Sequence, residues 1–178
     1  MNILEATRRY EAWLAARTFS NPRQLLFKHD LMKENVFAFL RATFYRWIQL
    51  WPEICPNLDS APTVLAVADL HVENFGTWRD AEGRLIWGVN DFDEAFPLPY
   101  THDLVRLTAS AIVAISEGRL TLKPRKLRTQ FWQATRKALD QQVGHLSWKK
   151  NMRAFARWRL AICAIPGGFG KNFSPRKK

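Results

Sequence analysis

The segment "VADLHVENFGTW", residues 67–78, constrains the fold most, because polar side chains follow directly on an apolar run. The preceding "TVLAVA" is β-branched or apolar, which is typical of a buried strand, and we expect that strand to end at or near Asp69. Polar groups at the end of a buried strand cost free energy unless they are hydrogen-bonded or solvated. The segment therefore predicts either a capped turn or the edge of a functional site.

Hydrophobic periodicity predicts an α+β fold that is mainly helical, with a small β-hairpin or sheet in the middle of the chain. The turn-forming "RDAEG" lies between "FGTW" and "RLIWGV", so these two runs form the expected hairpin. Two proline-rich stretches, residues 51–62 and 90–102, are predicted to be loops. The apolar spacing predicts five helices, over residues 2–17, 23–50, 103–118, 123–144 and 148–165.

A chain of 178 residues fits a single domain. We divide it into a helical part, a central part with the polar cluster, a basic helical part and a disordered tail, over residues 1–60, 61–118, 119–165 and 166–178. No apolar run approaches the ~20 residues of a membrane span, and the N-terminus lacks the apolar region of a signal peptide. Cys55 and Cys163 have no metal-site spacing. We therefore expect a cytoplasmic protein with reduced thiols and no membrane association.

The net charge of +11 is unevenly distributed. Residues 1–118 contain 11 Lys and Arg against 15 Asp and Glu, a balance of −4, whereas residues 119–178 contain 16 against one, a balance of +15. Such asymmetry is typical of a surface that binds a polyanion. It is equally compatible with a solvated helix pair whose acidic partner segment is missing from this chain.

Two groups of polar residues follow predicted strands. Three follow the first strand and three follow the second hairpin strand: Asp69, His71 and Asn74, then Asn90, Asp91 and Asp93. We expect both groups to face each other across one edge of a sheet. Clustered carboxylates repel one another unless a cation compensates, and oxygen ligands favour Mg²⁺ or Mn²⁺. A turn that caps backbone groups is the simpler alternative.

The spacing within these groups matches a phosphoryl-transfer pattern. Asp69 and Asn74 form D-x-x-x-x-N, the interval of the kinase catalytic loop, in which the aspartate orients the substrate hydroxyl and the asparagine binds a metal ion. A hairpin then leads to Asp91, in the place of the metal-binding aspartate of D-F-G. Here the triplet is D-F-D, with Asp93 in place of the glycine.

Three motifs in this order resemble a bacterial family known as domain of unknown function 2252. The motifs are G-D-x-H-x-x-N-F-G, N-D-F-D-E and D-L-x-R-L-x-x-S, and the resemblance spans roughly residues 25–115, including "FAFLRATFYRW" upstream. Members of this family look distantly similar to aminoglycoside phosphotransferases and other protein-kinase-like enzymes. The resemblance therefore implies the fold of the C-terminal lobe of a kinase.

The resemblance also implies roles for individual residues. It implies that Asp69 and His71 are catalytic residues and that Asn74, Asp91 and Asp93 bind the metal ion. It also implies that Arg41 contacts the cofactor, and that Asp103, at the start of a helix, braces the catalytic loop. The implied activity is transfer of a phosphoryl group from ATP, with Mg²⁺ or Mn²⁺, to an unidentified acceptor. Magnesium and ATP are the implied cofactors.

The chain departs from the family pattern in two respects. Ala68 stands where the family has glycine, and no G-x-G-x-x-G loop followed by a strand lysine is present. Family members are more than twice as long, with the phosphate loop C-terminal to these motifs. We therefore expect an incomplete or split member, whose glycine-rich loop and lysine come from a partner chain.

Two other functions remain open. The pair Asp69-x-His71 occurs in metal-dependent phosphoesterases, although the later asparagine–histidine pair of a two-metal site is missing. Residues 119–178, with Trp148 and Trp158 among basic residues, could instead form a non-catalytic module that binds nucleic acid or another polyanion.

Overall fold

A computed structural model of the chain describes residues 1–142, without the side chains of residues 128 and 138–142. Within this part no helix is long and apolar enough to cross a membrane. The helix predicted over 148–165 and the tail predicted over 166–178 lie outside the described residues. The chain divides into two compact units, Met1–Pro56 and Asn57–Lys178. The prediction of a single domain stays a prediction.

The first unit consists of four helices, α1 Ile3–Ala15, α2 Pro22–Glu34, α3 Val36–Ala42 and α4 Phe44–Ile54. The first predicted helix is confirmed, but the prediction of one helix over 23–50 is wrong. Asn35 interrupts it with an extended backbone, and its side chain accepts a hydrogen bond of 2.7 Å from the N–H of Ala38, which caps α3. A second break lies at Thr43, whose φ of −126° is not helical.

Within residues 57–142, the described part of the second unit, the chain forms two separate antiparallel sheets of two strands each. Strands β2 Phe75–Arg79 and β3 Leu85–Val89 form the predicted hairpin. Strand β1 Thr63–Ala66 pairs with β4 Phe96–Pro99, so the prediction that residues 90–102 form only a loop is wrong. Prolines at 97 and 99 are tolerated because each strand of a two-stranded sheet has one edge that needs no hydrogen bonds. The expected single sheet is therefore replaced by two.

Strand β1 is mostly exposed, which contradicts the prediction of a buried strand. Val64 is 42% exposed and Leu65 is 75% exposed, whereas Ala66 is fully buried. The strand also ends at Ala66, three residues before Asp69. A sheet of two strands leaves both faces open unless another element packs on them, so an apolar run here does not imply burial.

Helix α5, Thr101–Ser116, forms the centre of the second unit. It buries Val105, Ala111, Val113 and Ala114. Gly118 follows its end with a φ of +72°, the left-handed conformation expected after a helix. Helix α6, Pro124–Gln142, packs against α5 and buries Leu127. Both of these predicted helices are confirmed.

The buried imidazole of His102 on α5 makes stability pH-dependent. The side chain is 3% exposed and its Nε2 atom lies 4.0 Å from Asp59. Burial lowers the pKa of His102 from 6.5 to about 4, although the charge of Asp59 acts in the opposite direction. Between pH 4 and pH 6.5, the unfolded chain therefore binds a proton on this histidine, whereas the folded chain does not.

We predict that the free energy of unfolding decreases as the pH falls from 6.5 towards 4, by at most about 3 kcal/mol from this residue. Urea unfolding of wild type at pH 7 and pH 5 should show this loss. His102→Gln should make the pH dependence shallower, because glutamine does not titrate. Equal pH dependence in wild type and His102→Gln would contradict the prediction.

Candidate active site

Helix α5 holds the loop after β1 through three polar side chains, of which Asp103 is the first. Its carboxylate accepts hydrogen bonds from the backbone N–H groups of Val67, at 2.8 Å, and Ala68, at 2.9 Å. Burial raises the pKa of Asp103, and these two hydrogen bonds oppose that rise by stabilising the carboxylate. Asp103 therefore fixes the path of the chain just before Asp69.

Arg106 is the second side chain and forms a buried ion pair with Asp69. Its guanidinium is 1% exposed, and its Nε donates to Oδ1 of Asp69 at 3.0 Å. The Nη2 atom donates to the same oxygen. Burial lowers the pKa of Arg106 while the charge of Asp69 raises it, and an arginine remains charged under such conditions. The carboxylate of Asp69 is thus directed towards α5.

Ser110 is the third side chain. Its hydroxyl accepts a hydrogen bond of 3.1 Å from the N–H of Val72 and donates one of 2.8 Å to the carbonyl of Leu107. Asp103, Arg106 and Ser110 are three and four residues apart, so they lie on one face of the helix. We call this set the α5 clamp. It contacts the loop at four residues, Val67, Ala68, Asp69 and Val72.

A 3₁₀ turn, Val72–Asn74, follows Asp69 and buries two of the predicted site residues. Asn74 Oδ1 accepts a hydrogen bond of 2.5 Å from the N–H of His71. His71 Nδ1 accepts one of 3.2 Å from the N–H of Glu73. His71 is 2% exposed and Asn74 is 5% exposed. Both side chains therefore satisfy backbone N–H groups of the turn, which is a structural role in itself.

The hairpin returns the chain to this turn. The N–H of Asn90 donates to the carbonyl of Asn74 at 2.8 Å, so the two expected junctions meet at these residues. Gly76 makes this approach possible, because a Cβ atom there would lie 2.3 Å from the Asn90 carboxamide. The polar residues after β3 thus begin next to the buried Asn74.

Asp91 and Asp93 extend from that junction and are exposed. Asp91 accepts a hydrogen bond of 3.1 Å from the N–H of Asp93. Within residues 1–142, no three His, Cys, Asp or Glu side chains are grouped so that they could hold a metal ion by themselves. The remaining predicted residue, Arg41, is an exposed residue of α3 in the first unit.

Ala68 has a left-handed backbone, with a φ of +72°, and is fully buried. Its N–H is one of the two groups bound by Asp103, so the clamp holds this conformation. A residue with a Cβ atom pays about 1–2 kcal/mol for it, whereas glycine does not. This explains why glycine suits the position in the family motif.

Sequence reasoning identified Asp103 but missed Arg106 and Ser110. The segment "DLVRLTAS" could have indicated both residues. Its arginine lies in an otherwise apolar helix, three residues after the aspartate and four before the serine, so the three polar side chains share one helix face. Such a residue on a buried face requires a partner. Only the structure shows that the partner of Arg106 is the predicted catalytic aspartate.

We predict that Arg106→Met lowers the free energy of unfolding by about 3–5 kcal/mol, because it leaves the partly buried carboxylate of Asp69 without its cation. Arg119→Met is the matched control: this arginine is 43% exposed and pairs with Glu73 and Glu117. Loss of the Arg119 side chain should lower the free energy of unfolding by no more than about 1 kcal/mol. Urea unfolding measures both. A double variant with Asp69→Asn should regain part of the loss, and no recovery would contradict the ion-pair explanation.

We predict that Ala68→Gly raises the free energy of unfolding by about 0.5–1 kcal/mol, since relief of the left-handed strain exceeds the added entropy of the unfolded chain. Ala66→Gly, at an equally buried position in β1, should instead destabilise the protein. Thermal unfolding distinguishes the two. A loss of stability in both variants would contradict strain at Ala68.

Comparison with known families agrees with the motifs. The model of DUF2252, described as an uncharacterized protein conserved in bacteria, matches residues 20–157. Comparison with curated proteins gave no significant match, and neither did comparison with solved structures. The match covers more than half of the chain and includes all three motifs of the site. The chain therefore belongs to the DUF2252 family.

Proposed function

We propose that the second unit is the catalytic-loop half of a kinase-like phosphotransferase that uses Mg²⁺ and ATP. Asp69 would orient the acceptor hydroxyl, and Asn74 with Asp91 would bind the metal ion. The single observation that supports this best is the clamped loop. The six-residue interval from Asp69 to Asn74 is fixed to α5 by Asp103, Arg106 and Ser110, and its end lies beside Asn90.

Rigid attachment of the loop suits phosphoryl transfer. Catalysis of this reaction depends mainly on positioning and on electrostatic stabilisation, with little covalent chemistry from the protein. A carboxylate held by a buried guanidinium has a defined direction and retains its negative charge. Asp69 would therefore act as an acceptor that orients a hydroxyl.

The carboxylates near the hairpin junction are suitable ligands for a Mg²⁺ ion that is also bound to nucleotide phosphates. Mg²⁺ is usually held by one or two carboxylates together with substrate phosphates, and not by a cage of protein ligands alone. The exposed carboxylates of Asp91 and Asp93, which follow Asn90 at this junction, supply such a partial set. A bound ion would neutralise the negative charge of the phosphates, and the carboxylates of the chain would position the ion.

A partner chain would complete the nucleotide site. The sequence carries no glycine-rich phosphate loop followed by a strand lysine, and these parts cradle the phosphates in kinase-like enzymes. We propose that a separate polypeptide supplies them. The acceptor is not defined by the residues of this site.

We predict that the full chain binds MgATP and not ATP in excess EDTA, as measured by isothermal titration calorimetry. Asp91→Asn should weaken binding about tenfold or more, because a metal ligand loses its charge. Asp69→Asn, which leaves the buried guanidinium of Arg106 without its charge partner, should still weaken binding less than Asp91→Asn, because Asp69 is not assigned as a metal ligand. The control is Asp30→Asn, an exposed carboxylate in the first unit that pairs with Lys33.

Absence of magnesium-dependent binding by the full chain would contradict the proposal for this polypeptide. Binding that is equal in wild type, Asp91→Asn and Asp30→Asn would contradict the assigned metal site. Circular dichroism of each variant shows whether the fold is retained.

A second candidate is a polyanion-binding module based on the basic segment. Helix α6 exposes Arg125, Lys126, Arg136 and Lys137, and residues 119–178 contain one acidic residue. Such a face binds phosphates with a steep dependence on salt. Binding to random-sequence DNA that weakens steeply with salt and is unaffected by Asp69→Ala would favour it. The phosphoesterase alternative is less supported, because the later asparagine–histidine pair of a two-metal site is missing from the sequence.

A further inference from the structure

The hairpin and the segment after it expose large apolar side chains. Leu85 is 67% exposed, Trp87 69%, Phe92 55% and Phe96 63%. Leu85 and Trp87 are two residues apart on β3 and lie on the same side of the hairpin. We call Leu85, Trp87 and Phe92, together with the carboxylates of Asp91, Asp93 and Glu94, the hairpin surface; Phe96 belongs to β4 of the other sheet.

Such a surface is costly for an isolated hairpin. A two-stranded sheet is marginally stable by itself and gains stability when another element covers a face. Contiguous exposed apolar groups of this kind mark interaction sites. An occupant that covered Leu85 and Trp87 on their shared side of β3 would therefore carry apolar side chains.

The charge of the hairpin surface defines the occupant further. Residues 85–99 contain three acidic residues and no lysine or arginine. The two basic residues of segment 57–99 are Arg79 and Arg84, against eight acidic ones. Arg84 pairs with Asp80 and Glu82, and Arg79 donates to the carbonyl of Gly83. A complementary occupant is thus both apolar and basic.

Residues 143–178 have this composition. They contain nine lysines and arginines and no acidic residue, together with large apolar residues such as Trp148, Phe155, Trp158, Leu160 and Ile162. They continue directly from α6, which ends at Gln142 and packs against α5 in the same unit. A segment of 36 residues reaches up to roughly 120–130 Å when extended, so its length does not prevent it from reaching the hairpin surface.

We propose that residues 143–178 bind the hairpin surface of the same chain. Their aromatic side chains cover Trp87 and Phe92, and their lysines and arginines pair with Asp91, Asp93 and Glu94. The pairing uses Asp91 and Asp93, which the proposed function assigns to the metal ion, so the segment and the ion would compete for these carboxylates. Exposure and charge support the pairing, and the phosphotransferase activity is not needed for it.

Hydroxyl-radical footprinting of the full chain tests the apolar contact. Trp13, 50% exposed in the first unit, is the internal reference for Trp87. We expect Trp87 to be oxidised severalfold more slowly than Trp13, although it is the more exposed of the two in residues 1–142. The variant Trp148→Ser/Phe155→Ser/Trp158→Ser should reverse this order, and the control Phe19→Ser should not. Oxidation of Trp87 in wild type at or above the rate of Trp13 would overturn the proposal.

Carbodiimide cross-linking tests the charged contact and identifies the occupant. The full chain is prepared with ¹⁴N and with ¹⁵N, freed of metal ions on a chelating resin, mixed, and cross-linked in a buffer that contains no carboxylate or amine, so that no metal ion competes for the carboxylates of the protein. We expect bonds from lysines of residues 143–178 to Asp91, Asp93 or Glu94 within single-isotope chains, and we expect 1 M salt to suppress them. Mixed-isotope products would assign the surface to a second copy and overturn the proposal, as would the absence of these cross-links.

Discussion

The ion pair between Arg106 and Asp69 is the interaction on which the described site depends. A guanidinium that is 1% exposed must be compensated by a negative charge, because desolvation of an unpaired cation costs several kcal/mol. Its partner is fixed in space by Asp103 on one side and by Ser110 on the other. The loop therefore has one favourable position on α5, and Asp69 has one favourable direction.

The clamp explains why the central motifs occur together. The residues of "DLVRLTAS" bind the backbone and side chain of "VADLHV", and the turn that follows places Asn74 against Asn90 of "NDFD". Polar groups of each motif thus form hydrogen bonds with polar groups of another motif. An anchored loop with hard oxygen atoms nearby is an arrangement that phosphoryl transfer uses, which is why that activity is the one we propose.

Several fold elements could be predicted from local patterns, and others could not. The turn residues of "RDAEG" between two apolar runs predicted the hairpin, and periodicity with a following glycine predicted α5. The hydrophobic periodicity of residues 23–50 indicates one continuous helix, but the side chain of Asn35 caps a new helix and so divides it. Strand β4 was missed because its two prolines normally disfavour a strand, and they are tolerated here only because β4 lies at a sheet edge.

Residue types and their spacing along the chain are sufficient to predict the fold class, the order of the motifs and the family, because none of these depends on which residues meet in space. Tertiary structure decided which polar groups meet. Spacing placed Asp69, His71 and Asn74 in one segment, but burial directed His71 and Asn74 towards the backbone of their own turn and Asp69 towards Arg106. The reason is physical: a buried polar group binds the nearest partner in space, and that partner is 37 residues away in the chain for Asp69.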